Sequence, residues 1–381
     1  MNRYQRLEAL PWWDREAVRG AVFLVAGVGA VGNEVLKNLA LLGIGRIILV
    51  DRDQVTLHNL TRSVLFRSSD VGRPKVVAAA ERLCELEPDL RLLPLHLDVA
   101  SLSPSLVASA DVVLGCLDSL AAQVMLGRAC RAAGRPWIQG GLGGAADVFK
   151  VTLAVHPAGE GPCLECHLPV GIGDEVLAAT LPRGGCAREQ QQAEEEGGIP
   201  STPMAASILG GLMVQEALAV LHSLRHLPPL GTPPAWGGYM HWNTRAHEAH
   251  LLRRPGARSG CPWHQPTRII RLETPVADRP LAELCDLLGS DGGLVPEGAL
   301  VQHPGCPACG RTNLAWRWTP TLPAPCPACG QPDPLGQTLR FVTADHPVAT
   351  MTPRQLEMWP GTGLSWVTPT ERQLLTWPVL T

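Results

Sequence analysis

The sequence predicts an α/β protein: a doubly wound, mostly parallel sheet within residues 1–265, a crossover loop at about 171–200, and a small cysteine-rich module at 271–381. Three observations lead there. Short, continuously apolar runs alternate with segments of helical period, as strands covered on both faces alternate with their covering helices. The glycine loop Gly27-Val28-Gly29-Ala30-Val31-Gly32 stands between the first such run and the first such segment. Two Cys-Pro-Ala-Cys-Gly repeats crowd residues 306–330.

Taken in order, Ala21–Ala26 is apolar throughout and reads as a buried strand. Val35, Leu36, Leu39 and Leu42 place a helix over Glu34–Leu42, closed by Gly43 and Gly45. Ile47–Val50 is a second strand ending at Asp51. Gly72–Leu86 comes next as helix, Leu90–His96 and Asp111–Cys116 as strands, Ser119–Ala133 as helix and Val148–His156 as strand. Glycines and prolines bracket a polar run at 188–196, which marks the crossover loop. A helix over Pro203–Leu221 carries an apolar stripe through Ile208, Leu212 and Ala219; beyond it proline and glycine recur, and an irregular chain is expected up to Cys261.

Composition narrows the function classes. The 381 residues carry 18% charged and 45% hydrophobic side chains with a net charge of −3, enough to fill a core and with no basic footprint for nucleic acid. No run of 18 apolar residues suggests a membrane span. Charges scattered through the first 20 residues leave no signal-peptide core, so a cytoplasmic address is expected. Twelve cysteines in such a chain point to metal rather than disulfides, the more so because six form C-x-x-C pairs.

The glycine loop has direct chemical content. Gly27 permits the tight turn, Gly29 lets phosphates approach the backbone, Gly32 lets helix and strand pack closely, and the helix N-terminus offers unpaired N–H groups to an anion. Asp51 ends the next strand, where a carboxylate bonds ribose hydroxyls. By itself this says nucleotide.

The segment after Asp51 is more specific. Asp51-Arg52-Asp53 leads into Asn59-Leu60-Thr61-Arg62, then Asp70-Val71-Gly72-Arg73-Pro74-Lys75. With Gly32-Asn33-Glu34, Lys37-Asn38-Leu39, Arg3-Tyr4-Gln5-Arg6 and Leu117-Asp118-Ser119, residues 1–265 resemble the Rossmann-like adenylating domain shared by ubiquitin-activating enzymes and the bacterial ThiF and MoeB proteins. The resemblance implies ATP and Mg²⁺ as cofactors. It implies a ubiquitin-like or sulfur-carrier protein as partner, a homodimer in which Arg6 reaches the neighbouring subunit's ATP, and adenylation of the carrier's C-terminal carboxylate. Carboxylate and triphosphate are both anions, so the chemistry is positioning and charge neutralisation. Arg62 and Lys75 suit the phosphates, Asn59 the nucleotide, and Asp118, at the end of a parallel strand, the magnesium ion. Taken singly, Arg62 or Lys75 reads as a solvated charge and Asp118 as a helix cap.

Cys163-Leu164-Glu165-Cys166 is half of a zinc site or a redox pair. The resembled family completes four thiolates with a second C-x-x-C. Here Cys261-Pro262-Trp263-His264 stands instead, which favours His264 as fourth ligand beside Cys163, Cys166 and Cys261, with His167 as competitor. Cys306, Cys309, Cys326 and Cys329 have the spacing of a four-thiolate zinc ribbon, a folding staple or a docking surface. Cys186 lies in the crossover loop, which in that superfamily can carry the cysteine receiving the activated acyl group; it is then either a thioester cysteine, handing on to a conjugating enzyme, or an incidental thiol. Cys84, Cys116, Cys130 and Cys285 read as small core hydrophobes. The leading expectation is a modifier-activating enzyme with a thioester on Cys186; the alternative is a sulfur-carrier adenylyltransferase without one. An NAD-dependent oxidoreductase would explain the glycine loop but not Asn59, Arg62, Lys75 and Asp118. A decayed binding module would explain none of the intact polar set.

Overall fold

A computed structural model describes residues 3–102, 104–143, 148–158, 161–169, 201–230, 234–253, 256–258, 268–271, 278–289, 293–296, 299–302, 309, 317–319, 337–339, 342–356, 358, 364–367 and 372–376. Cys186 and the rest of the expected crossover loop, with Cys261, His264, Cys306, Cys326 and Cys329, lie outside them.

The chain divides into two compact units, one of residues 1–100 and 110–265, the other of 101–109 and 266–381. Two short helices, α1 (Gln5–Glu8) and α2 (Arg15–Arg19), open the first. Its sheet has eight strands: β1 (Val22–Ala26), β2 (Arg46–Val50), β3 (Arg91–Leu95), β4 (Val112–Gly115), β5 (Trp137–Leu142), β6 (Lys150–His156), β7 (Gly238–Asn243) and β8 (Glu248–Arg253). Their spatial order is β3-β2-β1-β4-β5-β6-β7-β8, parallel from β3 to β5 and antiparallel from β5 to β8. The strand order reverses between β1 and β4, and the carboxyl ends of those two strands form the crevice where open α/β sheets bind ligands.

The helices form on their apolar stripes. In α3 (Ala30–Leu41) Val31, Val35, Leu36 and Leu39 are buried, and in α4 (Lys75–Leu86) Val76, Ala79 and Leu83 are. The helix α6 (Leu120–Ala132) packs beside β4 and β5. The 22-residue helix α7 (Pro203–Leu224) is long and apolar enough to cross a membrane by composition, yet Leu209, Met213, Ala217 and Val220 are buried against α3 and the sheet. A side chain at Gly210 would bring a Cβ to 2.6 Å from that of Glu34, so this glycine sets the α3–α7 approach.

Several expectations are corrected. Helix α3 starts at Ala30 rather than Glu34, directly from the glycine loop, because Gly29 serves as its N-cap. The stripe of α7 runs through Leu209 and Met213; Ile208 and Leu212 are half-buried. The stretch expected to be irregular before Cys261 contains β7 and β8, and β5 is an additional strand. Cys84 is exposed, one position past the buried Leu83 on α4.

In the second unit α5 (Pro104–Ala108) packs on β15 (Arg372–Thr376), a member of a four-stranded sheet ordered β10-β14-β15-β9 with β9 (Arg268–Arg271), β10 (Gly293–Pro296) and β14 (Leu364–Val367). Helix α8 (Leu281–Leu288) buries Leu281, Leu284 and Cys285 with Leu294 and Val342. A three-stranded antiparallel sheet pairs β11 (Ala299–Gln302) with β12 (Arg317–Thr319) on one side and β13 (Gln337–Leu339) on the other.

Candidate active site

The site grows from the end of β1. Gly27 sits at φ +91°, a conformation that L side chains rarely adopt, and a Cβ there would lie 2.4 Å from the Cys116 carbonyl oxygen. The glycine loop and the segment after β4 therefore touch backbone to backbone. A Cβ at Gly32 would come 2.0 Å from the Gly27 carbonyl oxygen, which makes glycine obligatory where α3 turns away from the loop. At Gly29 a Cβ would meet nothing within 4 Å. The space over the N-terminus of α3 is open, and the first N–H groups of the helix face outward there.

Asp51, at the end of β2, ties the loop down. Its Oδ2 accepts from the Val28 N–H at 2.6 Å and its Oδ1 from the Asp53 N–H at 2.8 Å. Burial pushes its pKa up; the Lys75 charge and these two N–H donors pull the other way. Lys75, at the first turn of α4, keeps a side chain only 11% exposed and donates from Nζ to Asp53 Oδ2 at 2.7 Å. Glycine loop, Asp51, Asp53 and Lys75 thus form one connected network.

Asn59 and Arg62 come from a 3₁₀ turn at Leu57–Thr61 and its C-cap. Asn59 is buried, and its Oδ1 accepts from the Thr56 N–H at 3.0 Å, leaving the amide N–H₂ as donor. Arg62 is held by Nη1 donating to the His58 carbonyl at 2.9 Å. This segment is fastened to α3 by Asn33, fully buried, whose Oδ1 accepts from the Leu65 N–H at 2.9 Å and whose Nδ2 donates to the carbonyls of Val28 and Gly29 at 2.8 and 3.0 Å. Asn33 and Asp53 are structural members of the site that residue chemistry alone did not single out. A polar residue beside the apolar stripe of α3, just after the glycine loop, was the available signal for Asn33.

Asp118 lies just past β4 and is exposed, with no hydrogen bond or ion pair among the described residues; the helix-cap role falls to Ser119, whose Oγ accepts from the Ala122 N–H at 3.2 Å. Arg6 is exposed on α1 and is not joined to this network among the described residues. Its neighbours face the end of α4: Arg3 donates to the Leu86 carbonyl and pairs with Glu87, which also accepts from the Tyr4 hydroxyl. Burial pushes the Cys116 and Cys130 thiols up, out of the nucleophilic range.

Cys163 is the N-cap of a 3₁₀ turn at Leu164–His167 and Cys166 lies within it, with their sulfurs 3.7 Å apart. Two ligands at about 2.3 Å from a tetrahedral zinc ion lie about 3.8 Å apart, so the pair fits adjacent corners of such a site. The Arg258 N–H donates to Cys166 Sγ at 3.3 Å and its guanidinium to the Leu168 carbonyl at 3.0 Å, which brings the chain three residues before Cys261 to this knuckle. Glu165 within the turn is gripped by Arg128 of α6 through two bonds of 2.7 and 2.9 Å. Among the described residues no group of three or more metal-type ligands is assembled. Cys309 is exposed at a turn.

Residues 4–259 match the profile of the ThiF family. The chain is 30% identical over 247 residues to ubiquitin-like modifier-activating enzyme 5 of Oryza sativa, covering 60% of this chain and 55% of that protein. It is 34% identical over 264 residues to the molybdopterin-synthase adenylyltransferase of Escherichia coli, covering 67% of this chain and 94% of that protein. The chain spans about half the length of the modifier-activating relatives it matches, 55% and 54% for those of Oryza sativa and Arabidopsis thaliana. Among solved structures, E. coli MccB with succinimide shares the fold at a TM-score of 0.53 and 19% identity, over 70% of this chain and 75% of that one.

Proposed function

Because the chain belongs to the ThiF family, we propose that it uses ATP to adenylate the C-terminal carboxylate of a ubiquitin-like or sulfur-carrier protein. The observation that carries this reading is the network of glycine loop, Asp51, Asp53 and Lys75 beside the open space at Gly29. The triphosphate would lie over the N-terminus of α3. The ribose would meet Asp51, and the Asn59 amide would donate to the nucleotide. Arg62 and Lys75 would neutralise the phosphates, Lys75 exchanging Asp53 for phosphate oxygen. Asp118 would hold Mg²⁺, which would supply positive charge against the phosphates. A carrier carboxylate oxygen then bonds to the α-phosphorus. The bond from that phosphorus to the bridging oxygen breaks, and pyrophosphate leaves with the electron pair, leaving an acyl-adenylate. No proton transfer is required, so positioning and charge neutralisation suffice.

The further steps belong to the same reading. The acyl group would pass to Cys186 as a thioester, expelling AMP, for handover to a conjugating enzyme; without that step the acyl-adenylate would serve sulfur transfer. A homodimer would bring Arg6 to the neighbouring subunit's ATP. Two zinc sites would be structural: Cys163 and Cys166 with Cys261 and His264, supported by the sulfur spacing and the Arg258 contact, and Cys306, Cys309, Cys326 and Cys329, supported by the β11–β13 sheet whose strands precede, separate and follow the two pairs.

The test incubates the protein with ATP and candidate carrier proteins. Carrier-dependent ATP–pyrophosphate exchange is expected, and its absence with every carrier ending in a free carboxylate of this class would refute the reading. A thiol-sensitive adduct abolished by Cys186→Ala selects the thioester branch; exchange without an adduct selects the sulfur-carrier branch.

A further inference from the structure

Asp118 is exposed, and among the described residues nothing grips its carboxylate, yet a metal ligand must be held in place by something. The segment around it is pinned on both sides. On one, the Cys116 N–H donates to the Ala26 carbonyl of β1 at 2.7 Å. On the other, Ser119 caps α6. Between them the Leu117 carbonyl, adjacent to Asp118, accepts from Gln123 Nε2 at 2.9 Å.

That last bond is the end of a chain of partly buried polar side chains that leads to the buried His156. Gln123 Oε1 accepts from Gln139 Nε2 at 2.6 Å, and Gln139 Oε1 lies 3.1 Å from His156 Nε2. His156 is 2% exposed and stacks on Trp137, ring centroids 4.5 Å apart and planes 14° from parallel. The register explains why these groups meet. Trp137 and Gln139 are two apart on β5 and share one face, His156 of β6 pairs directly opposite Trp137, and Gly127 of α6, four residues after Gln123, packs on the Trp137 ring.

The far end of the chain sets its direction. A backbone carbonyl only accepts, so Gln123 must turn its N–H₂ toward Leu117 and its oxygen toward Gln139. Gln139 must then present N–H₂ to Gln123 and oxygen to His156. His156 must therefore carry hydrogen on Nε2. Every donor points toward the Leu117 carbonyl, and hydrogen bonds aligned in one such chain polarise one another.

The geometry points to Gln123, Gln139 and His156 as positioning residues that hold the Leu117–Asp118 turn so that the Asp118 carboxylate meets the nucleotide-bound metal. The inference rests on the assignment of Asp118 to Mg²⁺ proposed above. All three act through the backbone of residue 117. The same helix is held on its outer side by the Arg128–Glu165 pair, so α6 carries the turn as a fixed unit.

The experiment measures binding of α,β-methylene-ATP by titration calorimetry in Mg²⁺ and in EDTA, the gain from metal being the readout. Gln123→Leu keeps the side chain's bulk and removes both hydrogen bonds. It should shrink the metal-dependent gain about tenfold, the upper end of the loss expected for one hydrogen bond, and leave metal-free affinity within about twofold. Gln139→Leu, which leaves the Gln123–Leu117 bond in place, should give a smaller loss of the same kind and serves if Gln123→Leu does not fold. Folded variants of both residues with the full metal-dependent gain would overturn the inference. Asp118→Asn separates this from the underlying reading: it should abolish the gain, and a retained gain there refutes the metal assignment itself. ¹⁵N spectra of the His156 ring give an independent check. A hydrogen on Nε2 is expected, and a bare Nε2 would break the chain of donors on which the inference stands.

Discussion

Gly29 and Gly32 are three residues apart in one loop, and their substitution by alanine should separate packing from binding. At Gly32 the new Cβ would stand 2.0 Å from the Gly27 carbonyl oxygen, where ordinary contact begins at 3.4 Å, so about 1.4 Å must be relieved by backbone. Gly27 cannot retreat, because its own position is limited by the Cys116 carbonyl. The start of α3 has to move, against a helix packed on α7. Overpacking of this kind costs about 3 kcal/mol or more, or roughly 6–12 °C in Tm for a unit of this size. At Gly29 a Cβ meets nothing, and the backbone lies at φ −75° in an extended conformation open to alanine. Gly29→Ala should shift stability by no more than about 0.5 kcal/mol. Its methyl would nevertheless occupy the approach to the α3 N–H groups, and losing one charge-assisted hydrogen bond to phosphate, worth about 1.5–3 kcal/mol, weakens ATP binding roughly 10- to 100-fold. Thermal denaturation and nucleotide titration on both variants decide the matter. Wild-type ATP affinity in Gly29→Ala would refute the placement of the phosphates over α3.

Lys75→Ala and Arg62→Ala should each lower carrier-dependent adenylation by about 10²-fold or more, by analogy with removal of a donor aimed at developing charge, and Lys75→Ala should change Tm little because its partner Asp53 is half exposed; near-normal pyrophosphate exchange in either would contradict its role. Cys163→Ser should lower the zinc content by one ion per chain and lower Tm, measured by metal analysis and calorimetry, and an unchanged content would leave the knuckle without a metal. Tyr4 is pushed from 10.0 to about 12 by burial and by its hydrogen bond to Glu87. Since the folded state holds the proton more tightly, this stability is fully present below pH 10 and is lost as pH rises through about 12. Tyr4→Phe should flatten that alkaline decline in denaturation curves, and an identical slope in both proteins would count against the buried hydroxyl.

Much of the parallel half of the sheet was legible in the sequence because burial on both faces leaves continuous apolar runs such as Phe23–Ala26 and Ile47–Val50. Strand β5 was not, and the reason is packing. Its Gly140 faces α7, where a Cβ would fall 2.2 Å from the Met213 sulfur, so the strand gives up the apolar residue that would have announced it. Strands β7 and β8 escaped for the opposite cause: β8 is exposed from Glu248 to Leu252 and β7 only partly covered, so neither needs a recognisable hydrophobic face. Helix α3 was placed four residues late because its first turn is written in Ala, Val and Gly, with a glycine N-cap instead of a polar one.

The candidate site divides along the same line. Gly27, Gly32 and Asp51 are dictated by backbone geometry, by carbonyls at 2.4 and 2.0 Å and an N–H at 2.6 Å, and such constraints leave few residue types open. They are legible because alternatives are sterically excluded. Asn33, Asp53, Gln123 and Gln139 are chosen by pairing, and a lone amide or carboxylate in a sequence does not say which carbonyl it serves. Asn33 satisfies two carbonyls and one N–H at once, and that arithmetic exists only after α3, the glycine loop and the Leu65 segment have met. An apolar residue of the same size at position 33 would take this partner from the Val28 carbonyl and the Leu65 N–H, at about 1–3 kcal/mol each, while the Gly29 carbonyl keeps the backbone N–H of residue 33. The connecting side chains therefore hold the site as firmly as its named residues do, although only the folded chain shows what they connect.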